Sequence, residues 1–322
     1  MPPAITATVL VITYNHAPFI ETALESVLAQ ETDFAYELIV SDDYSTDGTR
    51  DIIERIAKAH PDRVRLLISP HNLNDNTVLR RGVEAARGRY LALLDGDDRW
   101  LTKEKLQRQV DLLESRPNLA MCFHNVRVVY DDGTPSNLFH QDAPSPMSTR
   151  PPKPISTLAD VAPWYFIPTC SAVFRTEHLR DMPAWYDGLP AGDHPLYVFA
   201  AEHGDVGYLD AVMGEYRVHS AGLWTSRGKY RTLADVEHTV EVFDAINRHL
   251  QFRHDNNIGE HVAWIYRNSA FAFYERGHYR WAATSARRSL ARLPLRRRTM
   301  AFKRIALLLA ATARGFRSPA PD

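Results

Sequence analysis

Three carboxylates, Asp95, Asp97 and Asp98, close the apolar run 90–94, with only Gly96 between the first two. Set so close together, they repel one another unless positive charge lies among them. Hard divalent cations take oxygen ligands of this kind, and Mg²⁺ commonly completes its shell with substrate phosphates. A polar turn capping the next helix is the competing reading, since Asp-Gly is a frequent turn dipeptide. Asp42 and Asp43 repeat the pattern after the apolar stretch 37–41. Their alternative duty, shared with Asp47, is turn and N-cap work before a helix over 50–59.

The elements that must position these acids follow from periodicity. Residues 90–94 are short, aliphatic and preceded by Gly88, which predicts a buried strand of a parallel sheet. Ligands of such sheets gather at the carboxyl ends of the strands. Residues 8–13 form an earlier strand by β-branched content and end in Tyr14-Asn15-His16. Pro18 opens a helix with Ile20, Ala23, Leu24, Val27 and Leu28 on one face. Strands over 37–41 and 64–69 alternate with helices over 50–59 and 76–87. The resulting βαβαβαβ pattern implies an α/β, doubly wound parallel sheet. No glycine follows Thr13 closely, which removes both the dinucleotide fingerprint and the P-loop, and weakens a sugar-phosphate nucleotidyltransferase.

Val-Ile-Thr-Tyr-Asn (11–15), Val-Ser-Asp-Asp-Tyr-Ser-Thr-Asp-Gly-Thr (40–49) and Leu-Asp-Gly-Asp-Asp (94–98) occur in that order. Together they resemble the successive signatures of family 2 inverting glycosyltransferases of the GT-A fold, and the resemblance spans about residues 5–225. It implies a doubly wound, mostly parallel, Rossmann-like sheet, with a donor-binding half over about 1–118 and an acceptor half over about 119–228. The donor nucleotide would lie on Thr13, Tyr14 and Asn15, with Asp43 accepting from the base imide and Asp42 supporting it. Asp95 and Gly96 would approach the ribose, and Arg80 or Arg81 the diphosphate, although either arginine reads equally well as a solvated helix residue. Mn²⁺ or Mg²⁺ would be held by Asp97 with Asp95 and His219. Thr169, Cys170 and Ser171 resemble the segment beneath the donor sugar, and Asp98 and Trp100 would border sugar and acceptor. Cys170 is not expected as a nucleophile, because inverting transfer needs none.

Asp193 stands where the resemblance places a catalytic base, usually Glu-Asp; here Gly192 replaces the glutamate. A single in-line displacement needs one positioned carboxylate to take the proton of the acceptor hydroxyl. Asp193 also suits the N-cap of a helix beginning near Pro195. Residues 207–210 and 214–219 read as a short strand pair ending in Tyr-Arg-x-His, and Arg217 can pair with the acidic cluster. Thr102 suits the cap of a helix running to about 115, and 120–130 a strand crossing into the acceptor half. The stretch holding Pro144, Pro146, Pro151, Pro152 and Pro154 reads as a loop over the acceptor.

Charge and composition bound the remaining classes. The 322 residues are 45% hydrophobic with a formal net charge of -1, ordinary for a globular chain and unlike a basic nucleic-acid binder. Cys122 and Cys170 read as incidental thiols of a cytosolic chain. Met1 leads directly into a strand without a signal-peptide pattern, and the apolar run 305–311 falls short of the ~20 residues that span a bilayer. A cytoplasmic location is expected. From about 229 to 322 the chain reads as helical, with one degenerate tetratricopeptide-type helix pair expected to pack on the catalytic domain. Its basic tail suits a peripheral contact with an anionic membrane surface, a solvated helix or a contact with another subunit. The expected function is transfer of a sugar from a nucleotide donor, UDP above others, to a hydroxyl acceptor: a saccharide, a lipid-linked saccharide or another molecule. A non-catalytic sugar-nucleotide-binding or scaffold protein is the alternative, resting on Gly192.

Overall fold

The computed structural model describes residues 4–140, 152–220, 222 and 232–293. The expected acceptor loop around Pro144, Pro146 and Pro151, the apolar run 305–311 and the tail beyond 293 lie outside these residues. The chain divides into two compact units, Met1–His219 and Ser220–Asp322.

The first unit begins β1 (Ile5–Thr13), α1 (Ile20–Leu28), β2 (Ala35–Asp42), α2 (Thr49–Ala59), β3 (Val64–Ile68), α3 (Thr77–Ala85) and β4 (Tyr90–Asp95). These four strands are parallel, with β1 between β2 and β4. Their aliphatic side chains are buried, and α1 lays Ile20, Ala23, Leu24 and Val27 against them. The chain runs outward from β1 to β3 and then returns to β4 on the other side of β1. The carboxyl ends of β1 and β4 therefore flank the topological switch point, where open α/β sheets hold ligands.

There follow β5 (Arg99–Trp100), α4 (Lys105–Ser115), β6 (Leu119–Tyr130), β7 (Asn137–Leu138), β8 (Ile155–Ser156) and α5 (Leu158–Val161). A 3₁₀ turn at Thr169–Ser171, then β9 (Val173–Arg175), α6 (Asp193–Ala201) and β10 (Asp205–Val218) complete the unit. The sheet order is β3-β2-β1-β4-β9-β6-β10-β5, with β7 on β6 and β8 on β10. The fold is thus α/β with a mostly parallel sheet, into which β9 inserts antiparallel to both β4 and β6.

Three local expectations are corrected. Residues 205–218 form one strand parallel to β6, not a strand pair; register shifts at Leu209/Val212 and Val212/Gly214 absorb the polar and glycine positions without reversing the chain. Helix α6 starts at Asp193, so Asp193 is its first residue and Gly192 its N-cap. Helix α4 starts at Lys105 after Glu104, because the Thr102 carbonyl is instead taken by the Gln30 amide at 2.8 Å.

The second unit contains α7 (Leu233–His249), α8 (Asp255–Glu275) and α9 (Tyr279–Arg292). Thr232 and Asp235 close a capping box at the start of α7. Gly277, with φ 78°, turns the chain between α8 and α9, the expected helix pair. Arg288–Glu237 and Arg292–Asp244 ion pairs tie α9 to α7. No helix among the described residues is long and apolar enough to cross a membrane.

Candidate active site

The acidic turn is threaded against the end of β1. The Gly96 N–H donates to the Ile12 carbonyl at 2.8 Å. A Cβ on Gly96 would lie 2.7 Å from both Thr13 Oγ1 and His16 Nδ1, so glycine is what lets the two chain segments meet. Asp97 Oδ2 then lies 3.0 Å from His219 Nε2 and 3.7 Å from His16 Nε2. His219 arrives from the end of β10 and packs on Phe19, ring centroids 4.8 Å apart.

Electrostatics separate the four acids. Burial holds Asp95 well above the usual carboxylate range, and repulsion from Asp97 and Asp193 adds to it. Asp98 is raised by burial and by Asp97 and Asp95. Burial works the same way on Asp97, but the His219 hydrogen bond and the charge of His16 outweigh it and leave this carboxyl lowered. Asp193 is raised by burial, against the His194 N–H on Oδ1 at 2.8 Å and the Thr169 hydroxyl on Oδ2 at 3.4 Å.

Thr169 reaches Asp193 because the turn carrying it is anchored from below. The Trp100 indole N–H donates to the Cys170 carbonyl at 2.9 Å, and the Gln109 amide donates to the Ser171 carbonyl at 2.8 Å. Ser171 Oγ donates to the Pro168 carbonyl at 2.6 Å. Cys170, Ser171 and Trp100 are all buried, so of the expected sugar-side residues only Thr169 approaches the base. Asp98 also faces inward: its Oδ1 accepts the Arg217 N–H at 2.8 Å, fixing β10 to the acidic turn. Arg217 lays its guanidinium over Phe19, 4.9 Å from the ring centroid.

On the opposite side, the loops after β1 and β2 interlock. Asn15 (φ 56°) and Tyr44 (φ 68°) adopt the left-handed backbone that few side chains favour. The Asn15 N–H donates to Ser45 Oγ at 2.9 Å, and the Thr46 N–H to Asn15 Oδ1 at 2.8 Å. Asp42 is fully buried and accepts from the Ser45 N–H. Asp43 accepts from Leu73 N–H at 2.9 Å, Asn74 N–H at 3.1 Å and Ser69 Oγ at 3.1 Å, so it organises the 69–74 loop. Tyr14 and Tyr44 leave their rings 43% and 40% exposed, as faces on which a base could stack. Arg80 is not brought to this surface: it holds Asp187 at 2.6 Å and the Met182 and Pro183 carbonyls at 2.8 Å. Arg81 instead donates to Ser41 Oγ at 2.9 Å and to the Asp42 and Leu67 carbonyls at 2.8 Å.

The Glycosyl transferase family 2 family model matches residues 8–182, over half of the chain. The chain belongs to that family. An uncharacterized Mycobacterium tuberculosis protein is 35% identical over 267 residues, covering 80% of this chain and 72% of its own. A putative teichuronic acid biosynthesis glycosyltransferase of Bacillus subtilis is 36% identical over 131 residues, 41% of this chain and 50% of that one. The solved structure of Staphylococcus aureus TarS in complex with UDP-GlcNAc superposes with a TM-score of 0.63 at 18% identity, over 97% of this chain and 92% of that one. The protein is a glycosyltransferase of the GT-A fold.

Within the described residues of this glycosyltransferase, no three His, Cys, Asp or Glu side chains converge as a closed metal centre. Of the expected Asp95–Asp97–His219 set, the structure pairs Asp97 with His219, while Asp95 ends β4 and interacts with Asp97 electrostatically. That pair still fits a divalent ion. Cis ligands at the ~2.1 Å bonds of an octahedral Mg²⁺ or similar ion stand about 3 Å apart, and Asp97 Oδ2 and His219 Nε2 are 3.0 Å apart. Two protein ligands with substrate phosphates is the usual pattern for Mg²⁺. His16 and Phe19 went unrecognised as site-building residues in the sequence, and Arg81, expected at the diphosphate or in solvent, instead braces the Asp42 and Leu67 carbonyls. The position of His16 directly after Thr13-Tyr14-Asn15, at a strand's carboxyl end, was the available signal for it.

Proposed function

We propose that this glycosyltransferase moves a sugar from a UDP-sugar to a hydroxyl acceptor with inversion at the anomeric carbon, using Asp193 as base. The observation that carries this reading is the Asp193 carboxyl, half-buried on the first turn of α6, contacted by the Thr169 hydroxyl and the His194 N–H, and coupled electrostatically to Asp95. A carboxyl raised by burial is a stronger base than an exposed one and is suited to taking the acceptor proton during attack. The His194 N–H takes one oxygen and the Thr169 hydroxyl the other, which fixes the plane of the carboxyl. The interlocked loops carrying Tyr14, Asn15 and Asp43 would seat the nucleotide, and the exposed Tyr14 ring would stack on its base. Asp97 and His219 would hold Mn²⁺ or Mg²⁺, which when bound offsets charge on the leaving diphosphate. The UDP-GlcNAc complex of TarS supports UDP as the donor nucleotide. Similarity to the putative teichuronic acid biosynthesis glycosyltransferase of Bacillus subtilis supports polysaccharide or glycoconjugate assembly as the setting.

The test is a melting screen of the full chain against UDP, GDP and their sugar conjugates, with and without Mn²⁺ or Mg²⁺. A ligand at about 100 times its Kd adds about 2.7 kcal/mol of stability. A metal-dependent shift with UDP, followed by UDP release in the presence of a hydroxyl acceptor, is expected. Absence of any shift with every nucleotide would overturn the proposal and favour the scaffold reading.

A further inference from the structure

Next to the base, Gly192 has no room for a side chain. A Cβ there would fall 2.4 Å from Asn76 Oδ1 and 2.8 Å from the Tyr186 hydroxyl. The space a side chain would take is held by a carboxamide from the opposite half of the unit.

That carboxamide has a fixed orientation. Asn76 Nδ2 donates to the Tyr186 carbonyl at 2.9 Å and to the Leu189 carbonyl at 3.0 Å. Both amide protons are thereby used, and the group facing Gly192 must be the acceptor oxygen. Among the described residues, Asn76 Oδ1 accepts no hydrogen bond, and Asn76 is only half-buried. The Tyr186 hydroxyl beside it is fully buried and also has no partner. Asn76 itself stands just beyond Leu73 and Asn74, the residues Asp43 organises, on the N-cap of α3. It thus bridges the nucleotide loop and the base, where the sugar of a donor would lie.

We propose that Asn76 Oδ1 accepts a hydrogen bond from a hydroxyl of the donor sugar, and that Gly192 is the residue whose bareness makes this contact. The inference rests on the donor-site reading above. A fixed acceptor with no donor of its own discriminates by hydroxyl configuration: an epimer that turns its hydroxyl away leaves the oxygen unpaired. Tyr186 acts as a positioning residue, holding Asn76 through its carbonyl.

The experiment compares UDP with UDP-glucose, UDP-galactose and UDP-GlcNAc for wild type, Asn76→Ala and Gly192→Ala, by titrated melting shifts in Mn²⁺. Wild type is expected to prefer one configuration by about tenfold, the order of one lost hydrogen-bond partner. Both variants are expected to flatten that preference while UDP still shifts their melting. Gly192→Ala displaces the Asn76 carboxamide without removing it, and the retained UDP shift reports that the nucleotide loops are intact in either variant. Unchanged preference in both variants would overturn the inference. So would a wild type that binds every UDP-sugar no better than UDP. A rise confined to the KM of a hydroxyl acceptor such as a p-nitrophenyl glycoside would overturn the donor-sugar assignment and move the contact to the acceptor. Failure of UDP and GDP alike to bind wild type would mark the donor-site reading itself as wrong.

Discussion

Lys105 is fully buried beneath the active site, and neutralising it should stabilise the enzyme in a pH-dependent way. Its ammonium lies 3.7 Å from the Trp100 ring centroid and has no hydrogen-bond acceptor. Burial pulls its pKa from 10.5 down to about 7, with the Cys170 and Cys122 thiols opposing weakly. At about 1.4 kcal/mol per tenfold change in proton affinity, that depression corresponds to roughly 5 kcal/mol against the charged form. A desolvated cation–π contact returns about 2 kcal/mol, so burial wins. The unfolded chain binds the proton more tightly, so stability rises with pH between about 7 and 10, where only the unfolded state is protonated. Between pH 7 and pH 9 the gain should be about 2.5 kcal/mol. Lys105→Met fills the same space without a charge and removes this slope, so the variant should exceed wild type most below pH 7. Guanidinium unfolding of both proteins at pH 6, 7, 8 and 9 measures the difference. A wild-type-minus-variant difference that stays constant across those pH values would refute the reasoning.

Asp193→Asn should lower transfer by roughly 10²–10⁴-fold, as loss of a general base does, while UDP still shifts the melting temperature; near-normal turnover would remove Asp193 as base. The acid limb of the kcat/KM profile should lie above the ordinary carboxylate range, because burial raises Asp193 and the base must be deprotonated to act; an inflection near pH 4 would contradict this. Asp97→Asn should abolish the Mn²⁺-dependent part of the UDP melting shift, measured by omitting the metal. Trp100→Phe removes the hydrogen bond to the Cys170 carbonyl; it should cost about 1–3 kcal/mol in denaturant melts, and kcat should fall further than KM rises.

The parallel strands and the three acidic turns were legible because buried strands must be aliphatic and their carboxyl ends must be polar. Asp97, His219 and Asp193 were singled out by the resemblance to family 2 glycosyltransferases, not by strand periodicity; the structure brings Asp97 to His219 and Asp193 to Thr169. Arg80 and Arg81 were indistinguishable in the sequence, since both follow a helix start and differ only by the 100° between successive helical residues. That rotation sends Arg80 to Asp187 and Arg81 under Asp42. Trp100, Cys170 and Ser171 carried the right types for a sugar platform, but contacts across 70 residues of chain decide that they lie beneath it. Asn76 was invisible because its importance depends on a missing side chain at position 192, more than a hundred residues away.

The Arg81 guanidinium has a kinetic and entropic consequence. It joins the Asp42 carbonyl at the end of β2 to the Leu67 carbonyl near the end of β3, and holds Ser41 between them. Asp43 and the 69–74 loop are thereby anchored on two braced strand ends without any donor present. Less ordering remains to be done on association, so more of the contact energy appears as affinity. A donor floor assembled in advance should also capture nucleotide in a single fast phase, with no slow isomerisation after the encounter.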